Sequence, residues 1–464
     1  MISLVWFRQD FRIKDNLAIH SAIKEGEKIL PIYIYDKFCS PYLVSCSKTW
    51  LHFALEDINK KLNYSLKIFS GDQLAVIESL CRENNISSIH FHRSYEHLQM
   101  KKDYDIKTFF KKLNIPVFIY DDFLLYNPKK LRKDDGSTYK VFTPFYKKFF
   151  ENKYFDFPKL SEKLKINFFD KKVKNSLLIE NLKLKNSGDA QKIFNKWKVG
   201  EEGASDLLKN FSEKIFSYSK SRDFPSEIAT SKLSPYLHFG HITPKKIWNY
   251  FKNFSGAEDF LRQLVWREFA YYTLFYNSNM ESECIDKKFE NFPWENDQNI
   301  FQAWCIGKTG YPIVDAGMRE LLQTGYMHNR VRMITASFLV KNLNIDWRLG
   351  QKWFLEKLID ADIANNSFGW QWIAGCGRDA APFFRIFNPT LQSKKFDSEG
   401  IYIRRYVPEI SKLPSKYIHN PSEAPQEILD FLNIKIGVDY PLPIVSFSKT
   451  RTLALQRYKH INEK

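Results

Sequence analysis

The densest run of chemically unusual residues is Asp360-Ala361-Asp362-Ile363-Ala364-Asn365-Asn366-Ser367-Phe368-Gly369-Trp370-Gln371-Trp372. Two carboxylates, three amides and two tryptophans make it too polar for a plain core helix. Paired carboxylates suggest metal binding or general acid–base chemistry. Asp360 and Asp362 are two residues apart and do not share a helix face, whereas Asp362 and Asn366, four apart, do. No His or Cys in the run completes a metal set, so no metal site is expected. Two readings stay open from spacing alone: carboxylates and an amide addressing one polar heterocycle, or helix capping and core hydrogen bonds.

These residues need a scaffold, and the chain carries two kinds of pattern. Up to residue 127, short β-rich runs (Ile2–Phe7, Ile29–Tyr35, Leu66–Phe69, Ile89–His92, Val117–Tyr120) alternate with helical spacing in Asn16–Ile23, Trp50–Leu62 and Leu74–Arg82. That alternation predicts a doubly wound, largely parallel sheet. Such sheets often cradle a phosphate in a glycine-rich first turn. Here the turn is Arg8-Gln9-Asp10-Phe11-Arg12, and the only glycines before residue 130 are Gly26 and Gly71. A nucleotide cofactor must then sit elsewhere, or bind this domain in another way. Residues 129–175 hold 14 Lys/Arg against 6 Asp/Glu with interleaved Phe and Tyr, and read as a long solvated connector. Beyond residue 200 the strand signal fades, and Glu258–Phe275, Val314–Thr324, Asn329–Asn342 and Leu349–Leu358 carry helical apolar spacing, as in Val331, Ile334 and Phe338. The expectation is an α/β domain over 1–127, a connector over 128–199 and an all-α domain over 200–464.

Composition bounds the function. The 464 residues allow two or three domains and a substantial core. Six widely scattered cysteines (Cys39, Cys46, Cys81, Cys284, Cys305, Cys376) form no Cys-x-x-Cys pair, which excludes a zinc ribbon or disulfide framework and favours a reducing cytoplasm. No run approaches the ~18 apolar residues of a membrane span. Arg8, Asp10 and Arg12 interrupt the apolar start, against a secretory signal. A net charge of +17 points to a polyanion or to solvated lysine-rich surfaces. Eleven tryptophans invite stacking or electron transfer.

Several long motifs then occur in order: Val5–Asp15, Thr230–Gly240, Thr309–Asp315, Met327–Met333, and Gly369-Trp370-Gln371-Trp372 followed by Asp379–Pro389. Together they resemble the photolyase/cryptochrome family from residue 2 to about 458, closest to its class I cyclobutane pyrimidine dimer photolyases. The resemblance implies an N-terminal α/β domain, a connector and a C-terminal helical domain holding FAD, which would explain the missing glycine turn.

Carried over residue by residue, the resemblance gives Thr230, Ser231, Lys232, Leu233 and Ser234 as the turn and helix start that hold the FAD phosphates. Backbone N–H groups there suit an anion, though the same residues also suit a simple N-cap. Tyr218 and Arg267 are implied as further cofactor contacts, Arg332 and Asp360 as an ion pair beside the isoalloxazine, and Asp362 as a partner on its edge. Asn366 aligns with the residue facing flavin N5, where an amide can donate or accept. Trp370, Trp347 and Trp294 match a three-tryptophan electron relay.

On the substrate side, Trp266 and Trp372 match the aromatic walls of the dimer pocket, Asn329, Arg330 and Met333 its floor and rim, and Arg222 and Arg385 DNA-backbone contacts. Gln263 departs from the family, standing where cyclobutane photolyases usually have a glutamate. The helix around Met327–Met333 has His328 but not the histidine pair of 6-4 photolyases. For an antenna chromophore, Tyr95–Gln99 resembles the folate-contact segment only in part, and the short run Phe38–Lys61 resembles members using a deazaflavin; methenyltetrahydrofolate and deazaflavin both stay open. The resemblance thus implies light-dependent repair of cyclobutane pyrimidine dimers in DNA by a cytoplasmic monomer, nucleoid-associated if the source is bacterial, with no membrane partner. A cryptochrome-like photoreceptor or a 6-4 photolyase is the alternative.

Overall fold

A computed structural model describes residues 1–26, 28–38, 43–151, 165–185, 193–380 and 384–463. Cys39 and residues 40–42 of the antenna run, and residues 381–383 of the last motif, lie outside the described residues. The chain divides into two compact units, one of residues 1–216 and 231–278, the other of 217–230 and 279–464.

The first unit is built on five parallel strands: β1 (Ile2–Phe7), β2 (Lys28–Tyr35), β3 (Lys67–Ser70), β4 (Ile86–His92) and β5 (Val117–Tyr120), in the order β3-β2-β1-β4-β5. Helices α1 (Leu17–Glu25), α2 (Ser45–Lys61), α3 (Gln73–Asn84) and α4 (His97–Lys112) make the crossovers. Leu4, Trp6, Leu30, Ile32, Ile89 and Phe91 are buried at the heart of the sheet. Pro31 is tolerated inside β2 because β3 pairs only from Ile32 onward. Helix α4 was not expected: Lys101, Lys102, Asp103, Asp105, Lys107, Lys111 and Lys112 drown its apolar stripe of Ile106 and Phe110.

Part of the segment read as a solvated connector is structural instead. Phe169 N–H donates to the Ile29 carbonyl, Ile29 N–H donates to the Asn167 carbonyl, Leu177 N–H reaches Ile68, and Phe169 and Val173 join the sheet core. Helix α5 (Phe142–Glu151) lies in the same stretch. Its buried stripe Phe142, Phe145, Phe149 packs on α6 (Glu258–Tyr276), with Phe145 and Phe269 ring centroids 4.9 Å apart.

The second unit is helical. Its centre is α7 (Pro312–Thr324), α8 (Asn329–Ser337), α9 (Trp347–Lys357) and α10 (Ile363–Ala374). Helix α8 runs into a π-turn over Phe338–Asn342, a geometry that concentrates at functional places. Among the described residues no helix is long and apolar enough to cross a membrane.

Candidate active site

Helix α10 presents two different faces. Ile363, Ala364, Ser367, Trp370 and Gln371 are buried, whereas Asn365 and Gly369 are exposed and Asn366 and Trp372 half-buried. Asp362 is the N-cap: its Oδ1 accepts the Asn365 backbone N–H at 2.8 Å and the Asn365 side-chain amide at 2.8 Å. For Asp362 the capping reading therefore holds, and any ligand contact is additional to it. Asn366 donates its amide N–H to the Gln351 carbonyl at 3.0 Å, which fixes the side chain. A Cβ at Gly369 would meet nothing within 4 Å. Packing does not demand a glycine there, although one inside a helix costs roughly 0.5–1 kcal/mol relative to alanine.

Just before α10, Arg332 grips Asp360 through Nη2, at 2.9 Å to Oδ2 and 3.1 Å to Oδ1. Arg332 Nε donates to the Met327 carbonyl at 2.7 Å, so both ends of the guanidinium are aimed. Burial works against the charge on Arg332, but Asp360 outweighs it and raises the guanidinium pKa. The Asp360 side chain is 4% exposed and that of Arg332 23%. The charge is thus held in place yet open on one side. Tyr326, missed in the sequence, lies under Arg332 with its ring centroid 5.2 Å from Cζ, and burial pushes its phenol up to about 12. The phenol also engages Thr230, so that residue is fixed by Tyr326.

The three tryptophans are graded in exposure: Trp370 and Trp347 are buried and Trp294 is half-buried. A Cβ on Gly350 would stand 2.2 Å from Trp370 Cη2, so the Trp370 indole rests on α9 one turn from Trp347. Trp294 is tied to the chain entering α9 by Glu295 N–H to Asn344 O (3.0 Å), Asn344 Nδ2 to Pro293 O (2.8 Å) and Asp346 N–H to Asn296 Oδ1 (2.8 Å). A fourth tryptophan, Trp304, sits edge-on to Trp370 at 6.2 Å. It carried no sequence signal, lying in an ordinary amphipathic helix.

The remaining expected residues of this unit are held by their neighbours. Trp372 donates Nε1–H to Asp379 O at 3.1 Å, and the Arg385 guanidinium lies 5.3 Å from its ring centroid. Arg330 pairs with Asp223 at 2.7 Å and covers Phe396, and Arg222 covers Tyr218. Asn329 is exposed and reaches Met333 Sδ at 3.8 Å. His328 caps α8 by accepting the Arg330 N–H, and burial pushes it down to about 4, so it is neutral near pH 7.

In the first unit, Lys232 adopts a left-handed conformation (φ 52°), Ser231 Oγ accepts the Leu233 N–H, and Ser234 opens a five-residue helix. Leu233 stands at its N-cap and no side chain caps it, so the simple capping alternative fails here. Trp266 stacks on Phe142 at 3.5 Å and 7°, and Gln263 Nε2 donates to the Asp259 carbonyl. Arg267 donates Nη1–H to Phe123 O at 3.1 Å while its buried Nη2 meets no acceptor among the described residues.

An unmet guanidinium nitrogen in one unit suits a large cofactor with polar edges. Within the other unit, the open polar helix face beside the fixed Arg332–Asp360 pair leaves room for a flat polar ligand. The described residues contain no cluster able to hold a metal ion. Residues 260–460 match the FAD binding domain of DNA photolyase, and residues 3–163 match DNA photolyase. The chain is 41% identical to a deoxyribodipyrimidine photo-lyase of Agrobacterium fabrum, over 99% of this chain and 98% of that one. It is 33% identical to cryptochrome-1 of Arabidopsis thaliana, over 97% of this chain and 69% of that one. A crystal structure of a bacterial class III photolyase from Agrobacterium tumefaciens superposes with a TM-score of 0.95 at 40% identity, covering 100% of this chain and 98% of that one. The chain belongs to the photolyase/cryptochrome family.

Proposed function

We propose that this protein repairs cyclobutane pyrimidine dimers in DNA with light, using bound FAD. The observation that carries the reading is the open polar face of α10, flanked by the Arg332–Asp360 pair and backed by the graded tryptophans. Bound there, FAD supplies the light-absorbing one-electron donor that opens the cyclobutane ring.

The chain's own residues do the rest. Arg332 keeps a positive charge at the cofactor without reorganising, because Asp360 and the Met327 carbonyl already hold it; preoriented charge of this kind is worth more than the same charge in water. Asn366, fixed by Gln351, offers its amide oxygen as an acceptor. Trp294, Trp347 and Trp370 conduct electrons inward from the surface. Trp372 and Trp266, each immobilised within its own unit, each offer a flat face of the kind an extruded pyrimidine dimer stacks on. Arg222, Arg330 and Arg385 meet phosphates, and Arg330 exchanges Asp223 for one when DNA binds. The protein acts as a cytoplasmic, nucleoid-associated monomer. A second, antenna chromophore is part of the reading, its identity being deazaflavin or methenyltetrahydrofolate.

Gln263 keeps an acceptor and gains donors but lacks the charge of the family's usual glutamate. This favours a cryptochrome-like receptor as the second reading. A 6-4 photolyase is disfavoured, since α8 starts with a single histidine that is neutral and occupied as a cap. The test illuminates the pre-reduced, FAD-loaded protein with DNA carrying one defined cyclobutane dimer. Restored thymines are expected. Flavin-bearing protein that restores none, and whose affinity for the damaged DNA does not fall with salt, makes the receptor the better account.

A further inference from the structure

The second unit buries a group of titratable side chains that the repair reading does not use. Cys284 and Cys376 are 1% and 0% exposed and lie on segments that pack side by side. Two backbone ties hold the segments in register: Asp286 N–H to Cys376 O at 2.8 Å, and Ile285 N–H to Gln371 Oε1 at 3.0 Å. Gln371 Oε1 also lies 3.6 Å from Cys376 Sγ.

The pair sits beside Trp347. The buried Nε1–H of Trp347 has no hydrogen-bond partner among the described residues. Arg348, the next residue, places Nη2 3.6 Å from Cys284 Sγ and 2.6 Å from Glu290 Oε2, while its Cζ covers the Trp347 ring at 4.8 Å. On the other side, Lys341 of the π-turn is 3% exposed, donates to the Ala374 carbonyl at 2.6 Å and acts on Cys376. Burial drives the Lys341 amine far below the ordinary lysine range. Glu290 accepts the Cys284 backbone N–H and is one-third exposed, so it connects the Cys284 end to water.

We infer that Cys284 and Cys376 are a dithiol electron donor built into the tryptophan relay, oxidised to a disulfide by photo-oxidised Trp347. The inference rests on the reading of Trp294, Trp347 and Trp370 as a relay, and the oxidant is light-excited oxidised flavin acting through them. Trp347, having lost one electron, takes one from Cys284 sulfur as the Cys284 S–H bond breaks and its proton passes to Glu290. The resulting sulfur radical bonds to Cys376 sulfur as the Cys376 proton passes to Lys341. The bonded pair then holds one surplus electron, which fills a second vacancy at Trp347. In sum two S–H bonds break, one S–S bond forms, two protons leave and two electrons enter the relay. Neither sulfur is open to solvent oxidants, so light through Trp347 is the route of oxidation.

The test is a thiol count on the FAD-loaded full chain. The oxidised protein is illuminated without oxygen or added reductant, unfolded in acid with an alkylating agent, and mapped by mass spectrometry. The six alkylatable thiols are expected to fall to four, with one linkage joining 284 to 376, and Trp347→Phe is expected to keep all six. Flavin bleaching in the wild type with all six thiols intact overturns the inference and leaves the relay standing. A linkage that forms equally in the dark or in Trp347→Phe also overturns it. Bleaching that proceeds unchanged in Trp347→Phe removes the relay itself, an outcome distinct from the first. The wild-type count needs no cysteine variant to fold, and Cys376→Ser serves as a second check, in which no linkage to 284 is expected.

Discussion

Both units bury opposite charges, and the contrast separates architecture from site. At the carboxyl ends of β1 and β4, where the strand order reverses, an open α/β sheet normally receives its ligand. Here the chain fills that place itself. His92 Nδ1 meets Asp10 Oδ2 at 2.7 Å, His92 Nε2 lies 3.2 Å from Asp122 Oδ2, and Arg12 pairs with Asp122 and donates to the Gly240 carbonyl. None of the four residues is more than 5% exposed. Burial alone would raise Asp122, but Arg12 and His92 outweigh it and hold the carboxyl well below its ordinary range. His92 is raised in turn: burial would lower it, and Asp122 and Asp10 reverse the sign. In the helical unit Arg332 and Asp360 are as well aimed, yet the guanidinium stays partly open and the neighbouring α10 face carries no side chain at Gly369. A charge network that closes on itself specifies a fold. One that closes on three sides waits for a fourth partner.

The sharpest way to break that contrast is to disturb each network and see which property falls. Asp122→Asn leaves Arg12 and His92 facing a neutral amide, and removing one member of a buried pair typically costs about 3–5 kcal/mol. The expected loss is in urea-unfolding stability, with FAD uptake by the folded fraction unchanged. The pH dependence carries a sign as well. The stabilisation from the depressed Asp10 and Asp122 is present above the ordinary carboxylate value of 3.8 and is lost as the pH falls through their lowered values. That from His92 is full below the ordinary histidine value of 6.5 and is lost as the pH rises through its raised one. Asp122→Asn should flatten both limbs of a stability–pH profile, and a profile unchanged at both ends would show the network to be idle.

Asp360→Asn makes the reverse case. The pair it breaks is partly solvated, so stability should fall less than in Asp122→Asn. The cofactor should bind about tenfold more weakly, which corresponds to about 1.4 kcal/mol. Flavin titration monitored by absorbance decides it; equal affinity with lost stability would move Arg332–Asp360 into the architectural class. Trp370→Phe tests the site from behind. Flavin photoreduction should slow at least tenfold, about 1.4 kcal/mol of barrier, while repair by pre-reduced protein stays within about twofold. Unslowed photoreduction would leave Trp304, 6.2 Å from Trp370, as the member of a different path.

How much of this was legible differs between the two units for physical reasons. The sheet announced itself, because strands buried on both faces are continuous apolar runs, and all five expected strands lie within three residues of the observed bounds. Helix α4 was hidden by its charges, and α5 by the opposite problem: Phe142, Phe145 and Phe149 form a clean stripe, but Tyr146 and Phe150 blur it. In the helical unit, the Asp360–Trp372 run was conspicuous, but spacing could not distinguish a cap from a contact, and Asp362 is a cap in any case. The Arg332–Asp360 pair joins residues 28 apart and came only from family resemblance. Gly350 making room for Trp370 and the Gln351 carbonyl aiming Asn366 left no trace at all, since a missing Cβ and a backbone oxygen have no sequence pattern.

The smallest expected effect probes the most specific claim, that the space over Gly369 belongs to a ligand. Gly369 lies inside α10 with helical backbone, and a Cβ there would touch nothing within 4 Å. Helix propensity alone says that Gly369→Ala stabilises the chain by roughly 0.5–1 kcal/mol, since alanine loses less backbone entropy on folding. If the open space is only solvent, the substitution should raise thermal stability equally with and without cofactor and damaged DNA. If it is the seat of a flat ligand, the two states diverge: the flavin-free chain becomes more stable while affinity for the cofactor or the dimer drops. Melting curves of Gly369→Ala with and without FAD and dimer-bearing DNA separate the two. A uniform rise in all of them would return this face of α10 to ordinary surface, and the contrast between a closed and an open charge network would then rest on Arg332 alone.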